Sequence, residues 1–195
     1  MIRLLYGKTI GGVRFGAGSI LSLDPAVEVA LISDGDADRN ALPQLIGQSF
    51  SRWTRSSVNA AGDASYTTLA SVTVSGGTMG LNSKILITAD WSFSQSTSTK
   101  YMSADFGSTS VSIITVNSAS YPATKIMTDI MNMNSLSIQK THNTHTYGVA
   151  AGPHLASAVP TADDAVIDFK CKWGAAIASE TITLLGYSIW HYPGS

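Results

Sequence analysis

Two of the four histidines in this 195-residue chain have the spacing of a metal-ligand pair. His142 and His145 form an H-x-x-H motif, and a zinc site would need both imidazoles neutral, with a further histidine or carboxylate brought beside them. His154 and His191 lie elsewhere in the chain. Because the motif falls in a stretch rich in Asn, Thr and Gly, we favour solvated or turn-bonded side chains and predict no metal site.

A second pattern of metal-ligand type surrounds Gly35. Asp34, Asp36 and Asp38 are spaced as in a calcium loop. The bidentate glutamate that such a loop requires is missing, because the corresponding position, counted from Asp34, is Leu45. We therefore predict that these aspartates belong to a turn that ends a helix.

Acidic residues in the last third of the chain suggest glycoside hydrolysis as an alternative. Asp163, Asp164 and Asp168 with Glu180 are the candidate pair-forming carboxylates. On an alternating strand, however, Asp168 points outward beside lysines at 170 and 172, which favours surface ion pairing.

Nucleophiles and phosphate loops lack the patterns that activate them. The chain contains no G-x-S-x-G elbow, and Cys171 falls on the inward face of its strand, as a small core hydrophobe does. The glycine-rich residues 7–18 lack the Lys-Ser/Thr ending of a nucleotide loop. We predict no catalytic residue, no metal and no cofactor, and a protein that is not an enzyme.

Composition limits the partners and the cellular compartment. Charged residues are 13% of the chain, against about 25% in typical globular proteins, and the net charge is -1. A clustered basic surface for nucleic acid is therefore not expected. The single cysteine excludes an internal disulfide framework, and no window reaches the roughly 18 apolar residues of a membrane span. We expect a protein made and kept soluble in a cytoplasm, without nucleic-acid or membrane partners.

The elements that must position any functional residue are mostly strands, and the last of them organises the rest. Residues 181–192 alternate with apolar side chains on both faces, which predicts a strand inside an assembly. Alternation also predicts strands at 66–74, 84–93, 100–106, 111–116 and 165–173, and a bent strand at 126–139. The fold class predicted is mainly β: an antiparallel β-sandwich or jelly roll, residues 66–195, preceded by a small N-terminal β/α module and an extended arm.

The module spans residues 1–40. It is predicted to contain strands at 2–6 and 19–23 around a glycine-rich turn at 7–18, then a short helix that Asp24 caps and Gly35 ends. Val27, Ala30 and Leu31 share one face of that helix.

The arm or linker spans residues 41–65. It carries Phe50, Arg52, Trp53 and Arg55, which we predict to bind a partner, since aromatic residues and arginine are favoured at interface centres. The alternative is that Phe50 and Trp53 begin the core of the sandwich.

The residues also carry a resemblance to a family. A Gly-Ala-Gly-Ser turn, a strand ending in Leu-Asp, a short helix and a final Asp-Gly resemble an N-terminal module of tailed-bacteriophage virion proteins. Residues 81–93, 100–107 and 180–184 are similar to a β-sandwich in structural proteins of the same phages. The resemblance implies a capsid decoration or cement protein, assembled in the host cytoplasm and located in the virion, that binds the major capsid protein as a homotrimer.

The alternative role is a tail-fibre or spike tip that recognises a cell-surface glycan. The loops at 94–99, 118–123 and 142–154 would form its binding face. Trp190, His191 and Tyr192 are the candidates for stacking on sugar rings. We favour the simpler interpretation that the tryptophans divide between the core and a subunit interface.

Overall fold

The structure is a computed structural model that describes residues 2–4, 8–16, 20–21, 23–24, 26–27, 30–31, 37–39, 43–57, 64–116, 122–145, 155–174 and 179–193. These residues are nearly all β, with helical residues only at 26–27 and 30–31 among them. No helix in the described ranges has the length and apolar character needed to cross a membrane. The strands found in the described residues are β1 (Ile2–Leu4), β2 (Lys8–Ile10), β3 (Val13–Phe15), β4 (Ile20–Leu21), β5 (Ala37–Arg39), β6 (Gln44–Ser49), β7 (Trp53–Ser56), β8 (Thr67–Val74), β9 (Lys84–Phe93), β10 (Lys100–Phe106), β11 (Thr109–Val116), β12 (Ala123–Asn132), β13 (Gln139–His145), β14 (Leu155–Ser157), β15 (Ala165–Trp173) and β16 (Thr181–Tyr192).

Two antiparallel sheets stack to form a sandwich, as predicted. The larger sheet has the order β14-β13-β12-β9-β16-β6, with β7 also paired to β16, and the smaller sheet has the order β11-β10-β15-β8. Side chains from both sheets form one hydrophobic core. Across it, the rings of Phe169 and Tyr187 stack with their centroids 4.7 Å apart. Aromatic pairs of this kind stabilise by about 0.5–1.5 kcal/mol beyond the area that they bury.

Strict alternation explains why β9 and β15 form where the sequence predicts them. In each, every second side chain is buried, and the inward set of β15 includes Phe169, Cys171 and Trp173. An alternating strand buries one face against the opposite sheet and leaves its polar residues outside. The prediction that Cys171 points inward is confirmed.

The apolar residues on both faces of β16 have a different explanation from the one expected. A register shift between Leu184 and Gly186 inserts Leu185 into the strand as a bulge. Because one extra residue reverses which side chains point inward, Leu184 faces the core before the bulge and Ile189 faces it afterwards. One face thus collects apolar residues from both phases of the alternation, and β16 pairs with three strands, β9 on one side and β6 and β7 on the other.

The segment predicted as an arm is in part a component of this sheet. β6 and β7 both pair with β16, so residues 44–49 and 53–56 are strands instead of a linker. The hydropathy pattern does not predict β6, because a second register shift interrupts the alternation of this strand opposite Ile189 and Trp190. Residues 58–63 of the predicted arm lie outside the described residues.

The N-terminal residues form a second, separate core around Leu4 and Leu31. β1 pairs with β4 and β5, and the backbone N–H of Ala26 donates to Asp24 Oδ1 at 2.9 Å, which confirms the predicted helix cap. Of the predicted helix face only Leu31 is buried, since Val27 and Ala30 are exposed.

One detail of the module differs from the prediction, and a second falls outside the described residues. The glycine-rich residues 7–18 contain a hairpin, because Gly11 and Gly12 both adopt positive φ and allow β2 to pair with β3. The predicted helix end at Gly35 lies outside the described residues.

A hairpin also replaces the bent strand predicted at residues 126–139. β12 ends at Asn132, and β13 begins at Gln139 and pairs with it. Asn134 takes a positive φ of 52° in the connection, a conformation that asparagine tolerates better than most residues. The polar residues near 134 therefore mark a turn between two strands.

Candidate functional site

Phe50 is a large aromatic side chain exposed to solvent on the surface of the fold. It lies between β6 and β7, both paired to β16, and it is 73% exposed. A Cβ atom on Gly186 would lie 2.8 Å from the Ser49 carbonyl oxygen and 3.1 Å from Phe50 Cδ1, so the chain passes very close to β16 at this point. Arg52, two residues further on, is also exposed.

The other two predicted partner-binding residues turn toward the sandwich. Trp53 is half-buried and stacks on Tyr187 with the ring centroids 5.7 Å apart. The guanidinium of Arg55 lies 5.2 Å from the ring centroid of Trp173 and donates to the carbonyl of Cys171 at 3.0 Å. The four residues thus divide into two fixed to the fold and two exposed. The alternative interpretation, that both aromatics begin the core, holds for Trp53 and not for Phe50.

The C-terminal residues predicted for sugar stacking do not share one surface. His191 points inward and is buried, and neither ring nitrogen has a hydrogen-bond partner in the described structure. Burial lowers the pKa of its imidazole. Trp190 and Tyr192 alternate with it and lie on the outer face, where Lys84 Nζ is 4.8 Å from the Tyr192 ring centroid.

Trp190 lies in an apolar row across the outer face of the larger sheet. It pairs with Leu86 of β9 on one side and with Leu45 of β6 on the other. Leu45 is exposed, while Leu86 and Trp190 are half-buried. We call Leu45, Leu86, Trp190 and Tyr192 the outer strip. It reaches β6, which is an edge of this sheet in the described structure.

A second apolar surface lies at one end of the sandwich. Leu81, Met133, Leu136 and Ile138 are exposed on the loop before β9 and on the β12–β13 turn. Asn132 joins the two loops, since its side-chain amide donates to the carbonyl of Gly80 at 2.8 Å and accepts from Gln139 Nε2 at 3.0 Å. This apolar tip is therefore held by buried hydrogen bonds.

A buried ion pair that no local sequence pattern indicates lies at the opposite end of the sandwich from the apolar tip. Lys100 is only 1% exposed, and its Nζ lies 2.7 Å from Ser96 Oγ and 3.5 Å from Glu180 Oε1. The hydroxyls of Ser96 and Ser98 both donate to the Glu180 carboxylate, the latter at 2.5 Å to Oε2. Because both serine hydroxyls already donate to Glu180, we interpret these four residues as a structural cluster that holds the β9–β10 loop against the start of β16. We call this cluster the buried clamp.

The remaining candidate residues are dispersed. His142 and His145 lie on β13 and not in a loop. Glu180 belongs to the buried clamp and Asp168 to the outer face of the smaller sheet, so they form no carboxylate pair. The described residues contain no group of three or more His, Cys, Asp or Glu side chains that could hold a metal ion. Burial raises the pKa of the Cys171 thiol to about 11, although nearby Arg55 opposes the shift.

No family model matches this sequence, and no curated protein does. Among solved structures, the chain is similar to a seed lectin of Lotus tetragonolobus, with 9% identity and a TM-score of 0.38 over 81% of this chain and 96% of the lectin. It is also similar to a structure of infectious bursal disease virus, Gt strain, with 14% identity and a TM-score of 0.37 over 99% of this chain and 43% of the viral one. The VP2 subviral particle of that virus gives 15% identity and a TM-score of 0.35 over 92% and 48%. A seed lectin and structures of a virus are thus both among the proteins of similar structure, and at TM-scores below 0.5 neither assigns a function to this chain.

Proposed function

We propose that this protein is a non-enzymatic structural component of a bacteriophage virion, a decoration or cement protein that binds the major capsid protein and stabilises the shell as a homotrimer. The observation that carries the proposal is Phe50, which is 73% exposed although the strands on both sides of it are paired to β16. An aromatic residue whose backbone is fixed before binding loses less conformational entropy when a partner covers it. The resemblance of the sequence to phage virion proteins supplies the identity of the partner.

Phe50 and Arg52 form the contact with the shell in this proposal. Phe50 would fill an apolar pocket on the capsid protein, and Arg52 would donate to acidic or carbonyl groups at its rim. Trp53 and Arg55 act behind them, because their contacts with Tyr187 and Trp173 fix the segment to the sandwich.

The outer strip is assigned to self-association. It combines Leu45, Leu86 and Trp190 with the edge strand β6, so a second copy can bury apolar side chains and approach an unpaired strand edge at the same place. Stabilisation of the shell then follows by mass action, since each bound trimer favours the assembled state of the subunits that it contacts.

The test is binding of the purified protein to shells that lack it. Phe50→Ala should weaken shell binding by about 30-fold or more, the loss that corresponds to about 2 kcal/mol at an interface hot spot. The matched control is Ile113→Ala, which truncates an exposed apolar side chain on the smaller sheet and should leave binding unchanged. Equal binding by Phe50→Ala and the wild-type protein would overturn the assignment of the contact.

A further inference from the structure

The outer face of the smaller sheet carries tyrosine, lysine and aspartate side chains, whereas the outer strip is mainly apolar. Its first row consists of Tyr101, Lys172 and Tyr66, since Tyr101 pairs with Lys172 and Tyr66 directly precedes β8 on the other side. Lys172 Nζ lies 4.6 Å from the ring centroid of Tyr66 and 5.1 Å from that of Tyr101. One ammonium group therefore orients two aromatic rings.

The next rows bring two carboxylates together. Asp105 of β10 lies directly opposite Asp168 of β15, a like-charge pairing that destabilises an antiparallel sheet. Lys170 offsets the repulsion, with its Nζ 2.8 Å from Asp105 Oδ2 and 3.4 Å from Asp168 Oδ2. Ser71 Oγ also donates to Asp168 Oδ1 at 2.6 Å.

One carboxylate oxygen in this group has no hydrogen-bond donor within the described structure. Asp105 Oδ1 is buried and accepts no hydrogen bond within the described structure, although its partner oxygen is bound by Lys170. A buried acceptor of this kind costs free energy until a donor reaches it. A ligand hydroxyl that reaches this carboxylate, whose side chain is 15% exposed, is such a donor.

The rings are not equally accessible. Tyr101 is half-buried and lies against Gly174, where a Cβ atom would be 3.2 Å from Tyr101 Cε2. Tyr66 is 38% exposed and offers the accessible ring. Partial burial, followed by the charge of Asp105, raises the pKa of Tyr66, so its phenol is neutral and can donate a hydrogen bond at neutral pH.

We propose that this face is a binding site for a neutral carbohydrate, in which the apolar side of one sugar ring packs on Tyr66 while its hydroxyls donate to Asp105 and Asp168 and accept from Lys170. Two lysines and two aspartates leave the face without net charge, which favours a neutral polyhydroxylated ligand over a phosphate or a cation. Hydrogen bonds to charged groups give orientation, and the ring supplies apolar contact.

The site lies on the opposite sheet from the outer strip and Phe50. A carbohydrate can therefore bind while the larger sheet is occupied by the shell or by other copies, and this inference does not depend on the proposed function. The residues also differ from Trp190 and Tyr192, which the sequence nominated for sugar stacking.

The test is a glycan array printed with neutral oligosaccharides, namely glucans, galactans and mannans, next to sialylated and sulfated ones, and probed with the labelled full-length protein. The strongest neutral oligosaccharide is then titrated in solution by NMR. Tyr66→Ala and Asp105→Asn should each weaken its binding at least tenfold, whereas Tyr66→Phe, which keeps the ring, should retain most of it. Asp90→Asn, which breaks the exposed pair with Lys125 on the larger sheet, is the matched control and should bind as the wild-type does.

Thermal melting of each variant separates loss of binding from loss of folding. Tyr66 precedes β8 and is partly exposed, so Tyr66→Ala should keep its melting temperature and carry the test if Asp105→Asn unfolds. Three results would overturn the proposal: no binding to any neutral oligosaccharide, binding confined to acidic glycans, or binding that Trp190→Ala abolishes and Tyr66→Ala leaves intact.

Discussion

Glu180→Gln exchanges one carboxylate oxygen for an amide nitrogen, and we expect this small change to destabilise the protein strongly. The substitution keeps the size of the side chain and removes its charge, so Lys100, at 1% exposure, loses its anionic partner. Ser96 Oγ and the carbonyl of Ser98 remain near Nζ, at 2.7 and 3.1 Å, but neither carries a formal charge.

The expected magnitude follows from the burial of both partners. Removing one member of a buried ion pair typically costs about 3–5 kcal/mol, because the other charge stays desolvated and uncompensated. For a chain of this size, about 1 kcal/mol shifts the melting temperature by roughly 2–4 °C. Glu180→Gln should therefore lower it by about 6–20 °C.

Calorimetry and urea unfolding of three variants test this reasoning. Lys100→Met should also destabilise, and the double variant Lys100→Met/Glu180→Leu should cost less than the sum of the two single variants, since neither charge is then left alone. Asp90→Asn is the surface control, because its pair with Lys125 is exposed and should contribute about 0–1 kcal/mol. A Glu180→Gln variant as stable as Asp90→Asn would refute the account of the buried clamp.

Three further outcomes follow from individual positions. In a urea titration, Gly76→Ala should destabilise the protein by about 1–3 kcal/mol, because the added Cβ atom would lie 2.4 Å from the carbonyl oxygen of Ala162. Gly80→Ala is the control and should be close to neutral, because its Cβ atom would meet nothing within 4 Å. The Cys171 thiol, with a pKa of about 11 in the fold and 9.0 outside it, should react with a thiol reagent only on unfolding, and its contribution to stability should be present below pH 9 and lost as the pH rises toward 11; rapid labelling of the native protein would contradict this. His191 has a lowered pKa, so its contribution should be complete above pH 6.5 and be lost as the pH falls below that value, and His191→Gln should flatten this part of the stability curve.

The sequence predicts the sandwich well where one face of a strand is buried throughout. The bounds of β9, β10 and β15 agree with the predicted strands, because alternation over seven residues or more leaves one register that buries most of the apolar side chains. Asp24 was recognisable as a cap for a similar reason, since its side chain acts within one turn of its own position.

The failures lie where the backbone departs from regular pairing. The bulge at Leu185 gave β16 apolar residues in both phases, and the shift in β6 made a paired strand resemble an arm. Neither is visible in local alternation, because each depends on which strand lies alongside. The prediction of one bent strand at 126–139 is wrong for the same reason, because it too depends on strand pairing. Only the pairing of Asn132 with Gln139 shows that these residues form a hairpin.

The candidate sites were harder to predict than the fold. Residue type predicts all four candidates in residues 50–55, but the division between exposed Phe50 and Arg52 and anchored Trp53 and Arg55 depends on long-range contacts. Trp53 is held by Tyr187 and Arg55 by Trp173. Lys100 and Glu180 are 80 residues apart, and Asp105 and Asp168 are brought together only by the pairing of β10 with β15. No local pattern encodes such pairs.

The measurement that tests the central proposal most directly is the copy number of this protein in purified particles, determined by quantitative mass spectrometry against the major capsid protein. A decoration protein that covers the shell as a trimer should be present in numbers comparable to the capsid protein, and particles carrying Phe50→Ala should contain far fewer copies. A few copies of the wild-type protein per particle would contradict decoration and place the chain in a tail or spike.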